Sequence, residues 1–440
     1  MPVMTREQAR ALLDRVLKLS RADEIEVDLG AGRENNIRFA DNRITTAGGV
    51  DDISLRIFSA FGRRHAVATT NDISDDGLER AVRQSESLAR LAPENPEKMP
   101  LVGPQEHATI DGHFATTASV SAADRARAAG VTLAAARTAG ELKAAGILLV
   151  DDRVSGMANS AGLFAYRPST SVDYTTTVRT NDGTGSGWAG ANHRDWSKLD
   201  FQAVSNRAIT KAQQSRNARP IEPGRYMVVL EPEAAGSLAG LMFNALDARS
   251  AMEGRNAFSK PGGGTKVGEQ IIDSRVSFIS DPAHPLILGS PFDGSGLPIT
   301  PKTWIENGVL KNLEYSRFWA QRQGVPITGS ANSLVVTGGT ESLDDIIAST
   351  ERGVLVTRFW YIRGVNSRTL LYTGLTRDGT FLIENGKIAY PISNMRFNES
   401  PLFMLGKLDA IGAPVRISNN AAVPPMRVRD FNFASLSDAV

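Results

Sequence analysis

The sequence predicts an α+β protein in which helices and antiparallel meanders alternate in the first half and strands dominate the second half. Two observations predict this class. In the first half, apolar residues switch between the helical spacing of three or four and the strand spacing of two. In the second half, Ile-Glu-Asn-Gly occurs at residues 305–308 and 383–386. Asn-Gly favours the tight turn of a β-hairpin because both central residues need positive φ.

The first half opens with one helix and one meander. Thr5 and Gln8 fit a capping box, and apolar residues follow at helical spacing over residues 9–17. Over residues 24–70, four short alternating runs are separated by Gly, Asn and Asp, which predicts a β-meander. Residues 74–91 return to a helical pattern. The following "LAPENPEKMPLVGPQ" predicts a linker or a long surface connection because of its prolines.

A second round of helix and strands follows this connection. An Ala-rich helix over residues 121–142 precedes the strand signals "GILLVDDRV", "LFAYRPS" and "VDYTTTVRT", and residues 197–216 form a further polar helix. "ARPIEPGRY" marks the start of the C-terminal part. These signals predict three domains: an N-terminal α/β meander domain at residues 1–103, a middle α/β domain at 104–220 and a β-rich C-terminal domain at 221–440.

The composition excludes several kinds of site. The 440 residues include no cysteine, which rules out disulfides, thiolate nucleophiles and Cys-containing zinc sites within the chain. A formal net charge of +1 gives no bulk attraction to nucleic acid or to an anionic membrane. The N-terminus lacks the pattern of a signal peptide, and no apolar run approaches the length of a membrane span. We therefore expect a soluble, cytoplasmic protein.

Two local motifs invite chemical interpretations. "GSGWAG" matches G-x-G-x-x-G at Gly185, Gly187 and Gly190, but no helical period follows, so a Gly-rich hairpin tip is favoured over a dinucleotide site. Among the five histidines, His193 and His284 have carboxylates close in sequence, at Asp195 and Asp281. A rebuilt metal site or acid/base site would need such groups to meet from distant segments.

The stretch "EPEAAGSLAGLMFNALDAR", residues 231–249, predicts a helix that faces the core. Glu231 and Pro232 suit its first turn, because an acidic group favours the positive end of the helix dipole and proline tolerates the first helical position. Apolar residues form one stripe along it, at Ala234, Leu238, Leu241, Met242, Ala245 and Leu246. We expect this helix to be buried in the C-terminal domain.

From about residue 225 onward the chain resembles the TldD/PmbA family, also called the modulator-of-DNA-gyrase or U62 peptidase-related family. The resemblance is carried by "MVVLEPEAAGSLAGLMFNAL", "EGRNAFS", "WIENGVLKNLEYSRFWAQRQG" and "GLTRDGTFLIENGKIAYPISNMRF". In the family's catalytic branch this helix carries His-Glu-x-x-x-His, and a downstream cysteine completes a zinc site. The corresponding positions here are Gly240, Leu241 and Ala245, with one residue of slip allowed. None of these side chains binds zinc or moves a proton.

The resemblance is therefore to the PmbA or TldE-like branch, and it implies a pseudoenzyme subunit. Such a chain needs no metal or cofactor of its own, since the zinc is expected in a TldD-type metallopeptidase partner. The resemblance implies a heterodimer with that partner, or self-association, around a groove that takes up an unfolded or extended peptide. It implies neither direct nucleic-acid contact nor a membrane.

Candidate peptide-binding residues lie near "YTGLTRDG", at Thr373, Thr376, Arg377 and Asp378. Backbone strand addition would give sequence-tolerant affinity there. Arg377 and Asp378 could equally belong to a turn before the strand at Phe381. Two other functions stay open: a metallopeptidase with a rebuilt metal site, and a regulator of DNA gyrase or another nucleic-acid machine. The charge balance speaks against direct DNA contact in the second case.

Overall fold

A computed structural model of the chain describes residues 3–287 and 289–437. Its first half contains the strands β1 (Glu24–Ala40), β2 (Arg43–Phe61), β3 (Arg64–Thr70), β4 (Leu142–Asn159), β5 (Phe164–Thr180) and β6 (Ser186–His193). They form one antiparallel sheet in the order β3-β2-β1-β4-β5-β6. The central pair β1–β4 runs from Glu26 opposite Asn159 to Phe39 opposite Gly146. The sheet is thus built from residues on both sides of position 103.

Helices cover one face of this sheet. They are α1 (Arg6–Leu19), α2 (Asp75–Leu91), the short α3 (Ala115–Ala118), α4 (Ala122–Ala139) and α5 (Phe201–Gln214), with a 3₁₀ turn at Trp196–Lys198. The predicted capping box at Thr5 and Gln8 is confirmed. Along β4, Leu148 and Val150 are buried under the helices, whereas Leu149 and Asp151 alternate to the other side. We call that other side the open face of the sheet.

The predicted meander differs in one respect, because its first two runs form the single long strand β1. The stretch "GAGRENN", residues 30–36, has the composition of a turn. In the fold it is paired along its whole length with β2 on one edge and with β4 on the other. Two full sets of ladder hydrogen bonds outweigh the weak local preference of Gly and Asn for turns.

The second half contains two further sheets. Its strands are β7 (Gly224–Leu230), β8 (Ser277–Ser280), β9 (Lys302–Glu306), β10 (Val309–Leu310), β11 (Leu334–Thr337), β12 (Arg352–Val356), β13 (Phe359–Asn366), β14 (Leu371–Thr376), β15 (Thr380–Glu384), β16 (Lys387–Pro391), β17 (Met395–Glu399), β18 (Leu408–Ile411), β19 (Val415–Ser418), β20 (Ala421–Val423) and β21 (Met426–Leu436). One sheet has the order β10-β9-β8-β11-β20-β19. The other has the order β13-β14-β17-β21-β7-β12-β15-β16, with β18 paired to β21. The α+β class is confirmed.

Both Asn-Gly hairpins are confirmed. Asn307 and Gly308 join β9 to β10 with φ of 48° and 76°, and Asn385 and Gly386 join β15 to β16 with φ of 50° and 73°. Positive φ at both central residues is the signature of the type I′ turn.

The helices of the second half are α6 (Pro232–Phe243), α7 (Ala248–Met252), α8 (Arg317–Gln323), α9 (Leu343–Ala348) and α10 (Pro401–Gly406). The largest apolar core of the described residues is in this half and includes most of α6. None of the described helices is both long enough and apolar enough to cross a membrane.

Candidate functional site

The helix α6 is shorter than the sequence predicts and is held by packing. Glu231 occupies the N-cap position with extended backbone but makes no capping bond, because its carboxylate binds Lys211 Nζ at 2.7 Å instead. The helix ends at Phe243, and α7 begins after a turn. Its inward side is closed by fully buried apolar side chains, namely Ala234, Ala235, Leu238, Ala239 and Met242. The helix is therefore part of the core of the second half.

The three positions that the resemblance predicts for the metal motif, Gly240, Leu241 and Ala245, offer no ligand atoms. Gly240 and Leu241 lie in the last turn of α6, and Ala245 lies in the turn beyond it, so the final position has left the helix. A Cβ added to Gly240 would meet no atom within 4 Å. The space for a larger side chain is present at that position, but the side chain is not. Hydrogen, isobutyl and methyl groups cannot coordinate zinc, so the residues present do not fit that ion.

His193 and His284, the candidates for a rebuilt site, form hydrogen bonds within local turns. His193 Nδ1 accepts a hydrogen bond from the backbone N–H of Asp195 at 2.9 Å, and His284 Nδ1 accepts one from that of Leu286 at 3.2 Å. The Asp195 carboxylate is bound by Thr116 Oγ1 at 2.6 Å. Within residues 3–287 and 289–437, no three or more His, Asp or Glu side chains are arranged to hold a metal ion.

A cavity of about 670 Å³ lies between the N-terminal sheet and the C-terminal half. We call it the Trp-Arg cavity. From the first half it is lined by Ala40, Asp41, Lys143, Ala144, Ala145, Thr177, Arg179, Thr180, Asn181 and Trp188, and from the second half by Arg358, Trp360, Arg377 and Asp378. Four cationic side chains face two carboxylates in this lining. The cavity is therefore positively charged and has large aromatic surfaces.

Stacked arginines and tryptophans form the core of this lining. The guanidinium carbon of Arg358 lies 4.5 Å from the ring centre of Trp188 and 5.2 Å from that of Trp360. Arg377 lies 4.9 Å from the ring centre of Trp360. Each contact is within the range of a cation–π interaction. Because Trp188 is on β6 and the other three are in the second half, the stack crosses between the two halves.

The carboxylate of Asp378 holds the two arginines of this stack in place. Its side chain is only 2 % exposed, and its φ of 56° is a left-handed conformation that aspartate tolerates better than most residues. Ser186 Oγ donates to Oδ1 at 2.7 Å, and Arg358 Nη1 donates to Oδ2 at 3.2 Å. Arg377 Nε is 4.0 Å from the same Oδ2. One buried carboxylate thus orients both arginines and connects them to β6.

The four predicted peptide-binding residues divide into two pairs. Arg377 and Asp378 lie at the Trp-Arg cavity. The Thr373 hydroxyl donates to the backbone oxygen of Phe397 at 2.9 Å, and the Thr376 hydroxyl donates to Asn394 Oδ1 at 3.1 Å. The two threonines therefore satisfy their hydroxyls within the sheet, and the cavity is where the remaining two could meet a ligand.

Sequence reasoning missed Trp188, Arg358 and Trp360. The available signal was a tryptophan in the middle of "GSGWAG", where a solvated hairpin tip would have no use for a large ring. In the fold no helix opens after these glycines, and Gly187 and Gly190 belong to β6. A Cβ on Gly187 would lie 2.2 Å from the backbone oxygen of Ala208. That glycine is therefore required for the close packing of α5.

A half-buried carboxyl group, that of Glu233, lies near Arg358 at the start of α6. Burial, together with the nearby carboxylates of Glu231 and Asp173, raises the pKa of Glu233 to about 7. Lys211 and Arg358 act in the opposite direction but do not cancel the effect of burial. Glu233 thus changes its charge near neutral pH, close to the Arg358 guanidinium.

Comparisons with known proteins support one family along most of the chain. Family sequence models match for PmbA/TldA metallopeptidase domain 1 at residues 25–89, for the central domain at 116–216 and for the C-terminal domain at 223–435. A metalloprotease of Methanothermobacter thermautotrophicus is 25% identical over 236 residues, which is 50% of this chain and 49% of the relative. A metalloprotease PmbA homolog of Haemophilus influenzae is 28% identical over 162 residues, or 35% of each chain. The matched part thus spans about half the length, or less, of these curated relatives.

Solved structures share the fold along nearly the whole chain. TldE from Thermococcus kodakarensis superposes with a TM-score of 0.83 at 21% identity, over 97% of this chain and 99% of that one. A Thermotoga maritima protein described as a candidate modulator of a DNA gyrase superposes with a TM-score of 0.84 at 20% identity, over 97% and 100%. At these identities the likeness establishes the fold.

Proposed function

Because the chain belongs to the PmbA/TldD family of metallopeptidase-related proteins, we propose that it is a non-catalytic, TldE-like subunit. In this role it binds unfolded or extended peptide for a TldD-type zinc peptidase. The observation that carries the proposal is that α6 and the turn after it present no ligand atom at Gly240, Leu241 or Ala245, although the strand before the helix, the helix start and its packing are all present. Zinc chemistry would then be supplied by the partner.

The Trp-Arg cavity and the neighbouring strand β13 are suited to hold a peptide. β13 is an edge strand of the nine-stranded sheet, and its pairing with β14 is interrupted by two irregularities. Trp360, Tyr361 and Val365 on this strand are 42%, 59% and 56% exposed. An edge strand offers free backbone groups to an added strand, and exposed apolar side chains provide contacts that depend little on sequence.

The charged side chains of the cavity are also suited to bind a peptide. Arg358 and Arg377 are each 24% exposed, so their stacked guanidinium planes are held in place and remain reachable. Planar cations next to indole rings bind carboxylates and aromatic side chains of a peptide without selecting one sequence. This matches the need of a subunit that accepts many unfolded peptides.

The test begins with the purified chain alone. We expect no stoichiometric zinc by elemental analysis, no cleavage of an unfolded peptide such as reduced, alkylated casein fragments, and measurable binding of that peptide. Adding a TldD-type subunit with His-Glu-x-x-x-His should give cleavage, and the same subunit with its glutamate replaced by glutamine should not.

Three outcomes would contradict the proposal. Near-stoichiometric zinc with cleavage by the isolated chain would establish the rebuilt-site metallopeptidase instead. Salt-dependent binding to duplex DNA without peptide binding would favour the nucleic-acid regulator. Cleavage by the TldD-type subunit that is unchanged by this chain would remove the proposed partnership.

A further inference from the structure

Three arginines from separate elements converge where the two halves of the chain meet, away from the Trp-Arg cavity. Arg167 is on β5, Arg194 directly follows β6, and Arg416 is on β19. Asn192 Nδ2 on β6 donates to the backbone oxygen of Ile417 at 2.9 Å, so β6 and β19 are joined beside these side chains. The arginines are thus brought together by the contact between the N-terminal sheet and the C-terminal half.

Arg167 and Arg416 are half-buried, and each has one buried guanidinium nitrogen without an acceptor. Nη2 of Arg167 and Nη1 of Arg416 are shielded from solvent and donate to no atom of residues 3–287 or 289–437. Within these described residues, neither Arg167 nor Arg416 forms an ion pair. A buried charged donor without a partner is strongly unfavourable, and native structures rarely retain one unless a bound group satisfies it.

The three cations also repel one another. Burial, together with the charges of Arg167 and Arg416, lowers the pKa of Arg194 to about 10, while Asp151 opposes them. The Asp151 carboxylate is already bound by Arg153 at 3.0 Å and by Ser171 Oγ at 3.1 Å. The local carboxylate is therefore shared with other groups, and positive charge is left in excess.

We propose that this cluster is a binding site for a small oxyanion of the carboxylate or phosphate class. An oxyanion accepts several N–H bonds from the fixed planar forks of arginine and neutralises the excess charge at the same time. Water satisfies donors but adds no negative charge to balance the cations. Bound between β5 and β19, the anion would join the two halves of the chain. This site does not depend on the proposed peptidase partnership.

The experiment measures the melting temperature of the full chain in rising concentrations of inorganic phosphate. Sodium chloride of equal ionic strength corrects for general salt effects. A ligand that binds the folded state raises the melting temperature in a saturable way. We expect this response in the natural chain, and we expect Arg416→Gln and Arg167→Gln to need at least about tenfold more phosphate for the same rise. Arg63→Gln, at an exposed arginine in the turn between β2 and β3 at the opposite edge of the N-terminal sheet, should respond like the natural chain.

Further probes identify the source of the oxyanion. The same titration is repeated with an acetylated alanine tripeptide bearing a free carboxylate and with its C-terminal amide. A response to the free carboxylate but not to the amide identifies a peptide terminus, whereas a response to phosphate alone identifies a free anion. Circular dichroism checks that the variants fold, and Arg416→Lys, which keeps the charge, should retain part of the response. Coinciding curves for the natural chain and Arg416→Gln, or no saturable response to phosphate or carboxylate, would overturn the proposal.

Discussion

The helix α6 and the Trp-Arg cavity differ in the chemistry of their side chains, which are apolar and buried in α6 but charged and aromatic in the cavity. The resemblance predicts the metal motif's position on α6, and the buried side of this helix is made of alanine, leucine and methionine. The residues that line the cavity are not among the predicted motif positions, yet they bring four cations, two carboxylates and two indole rings together. The comparison indicates that α6 contributes mainly packing. The groups able to bind a ligand lie instead where the two halves of the chain meet.

The largest effect should follow from removing the carboxylate that holds the cavity together. Asp378→Ala leaves Arg358 and Ser186 without their buried partner, and breaking a buried ion pair on one side costs about 3–5 kcal/mol. We expect the free energy of unfolding, measured by urea denaturation, to fall by this amount. Asp344→Asn, at an exposed position of α9, should change it by less than about 0.5 kcal/mol. Equal midpoints for the two variants would show that Asp378 does not join the halves.

A pair of substitutions in α6 tests whether this helix acts through packing alone. Leu238 is fully buried, so Leu238→Ala should destabilise the chain by about 2–5 kcal/mol. Gly240→Ala should instead stabilise it by up to about 1 kcal/mol, because the added methyl group meets no atom and alanine favours the helix. Urea denaturation of both variants gives the two values. Loss of peptide binding in Gly240→Ala with unchanged stability would mean that this turn of α6 still takes part in function.

Glu233 should make stability depend on pH near neutrality. Its pKa of about 7 in the folded chain lies above the ordinary value of 4.5, so its contribution is fully present below about pH 4.5 and is lost as the pH rises through 7. In Glu233→Gln this contribution does not titrate. We expect the variant to gain about 2 kcal/mol relative to the natural chain between pH 5 and pH 8. Urea denaturation at a series of pH values measures the difference.

The exposed Glu94 provides the control for this series. Glu94→Gln should follow the natural chain at every pH, since Glu94 lies on the surface of the connection after α2. A parallel course for Glu233→Gln and the natural chain would mean that the carboxyl group at position 233 titrates as it does in the unfolded chain.

The sequence was sufficient to predict the structural features that depend only on residues close together in the chain. The capping box at Thr5 and the Asn307-Gly308 and Asn385-Gly386 turns are decided within four residues, and all of them form. The Trp-Arg cavity depends on contacts such as that between Ser186 and Asp378, which are 192 positions apart. Periodicity contains no information on which strand meets which across such a distance, so Trp188 and Arg358 could not be paired in advance. Arg377 and Asp378 were found only because the resemblance to the family drew attention to their segment.

The last prediction concerns peptide affinity, and it is the most direct test of the cavity. Trp360 stacks on both Arg358 and Arg377 and is 42% exposed, so Trp360→Ala removes a contact surface while leaving the core intact. Truncating an aromatic residue at a binding surface typically costs more than 1 kcal/mol, and about 1.4 kcal/mol is tenfold in affinity. We expect the Kd for a fluorescently labelled unfolded peptide, measured by anisotropy, to rise about tenfold. Phe403→Ala, at a 52% exposed aromatic residue on α10, should leave it within about twofold. If the two variants weaken binding equally, the peptide is held by scattered apolar contacts. If neither does, it binds elsewhere than at the cavity.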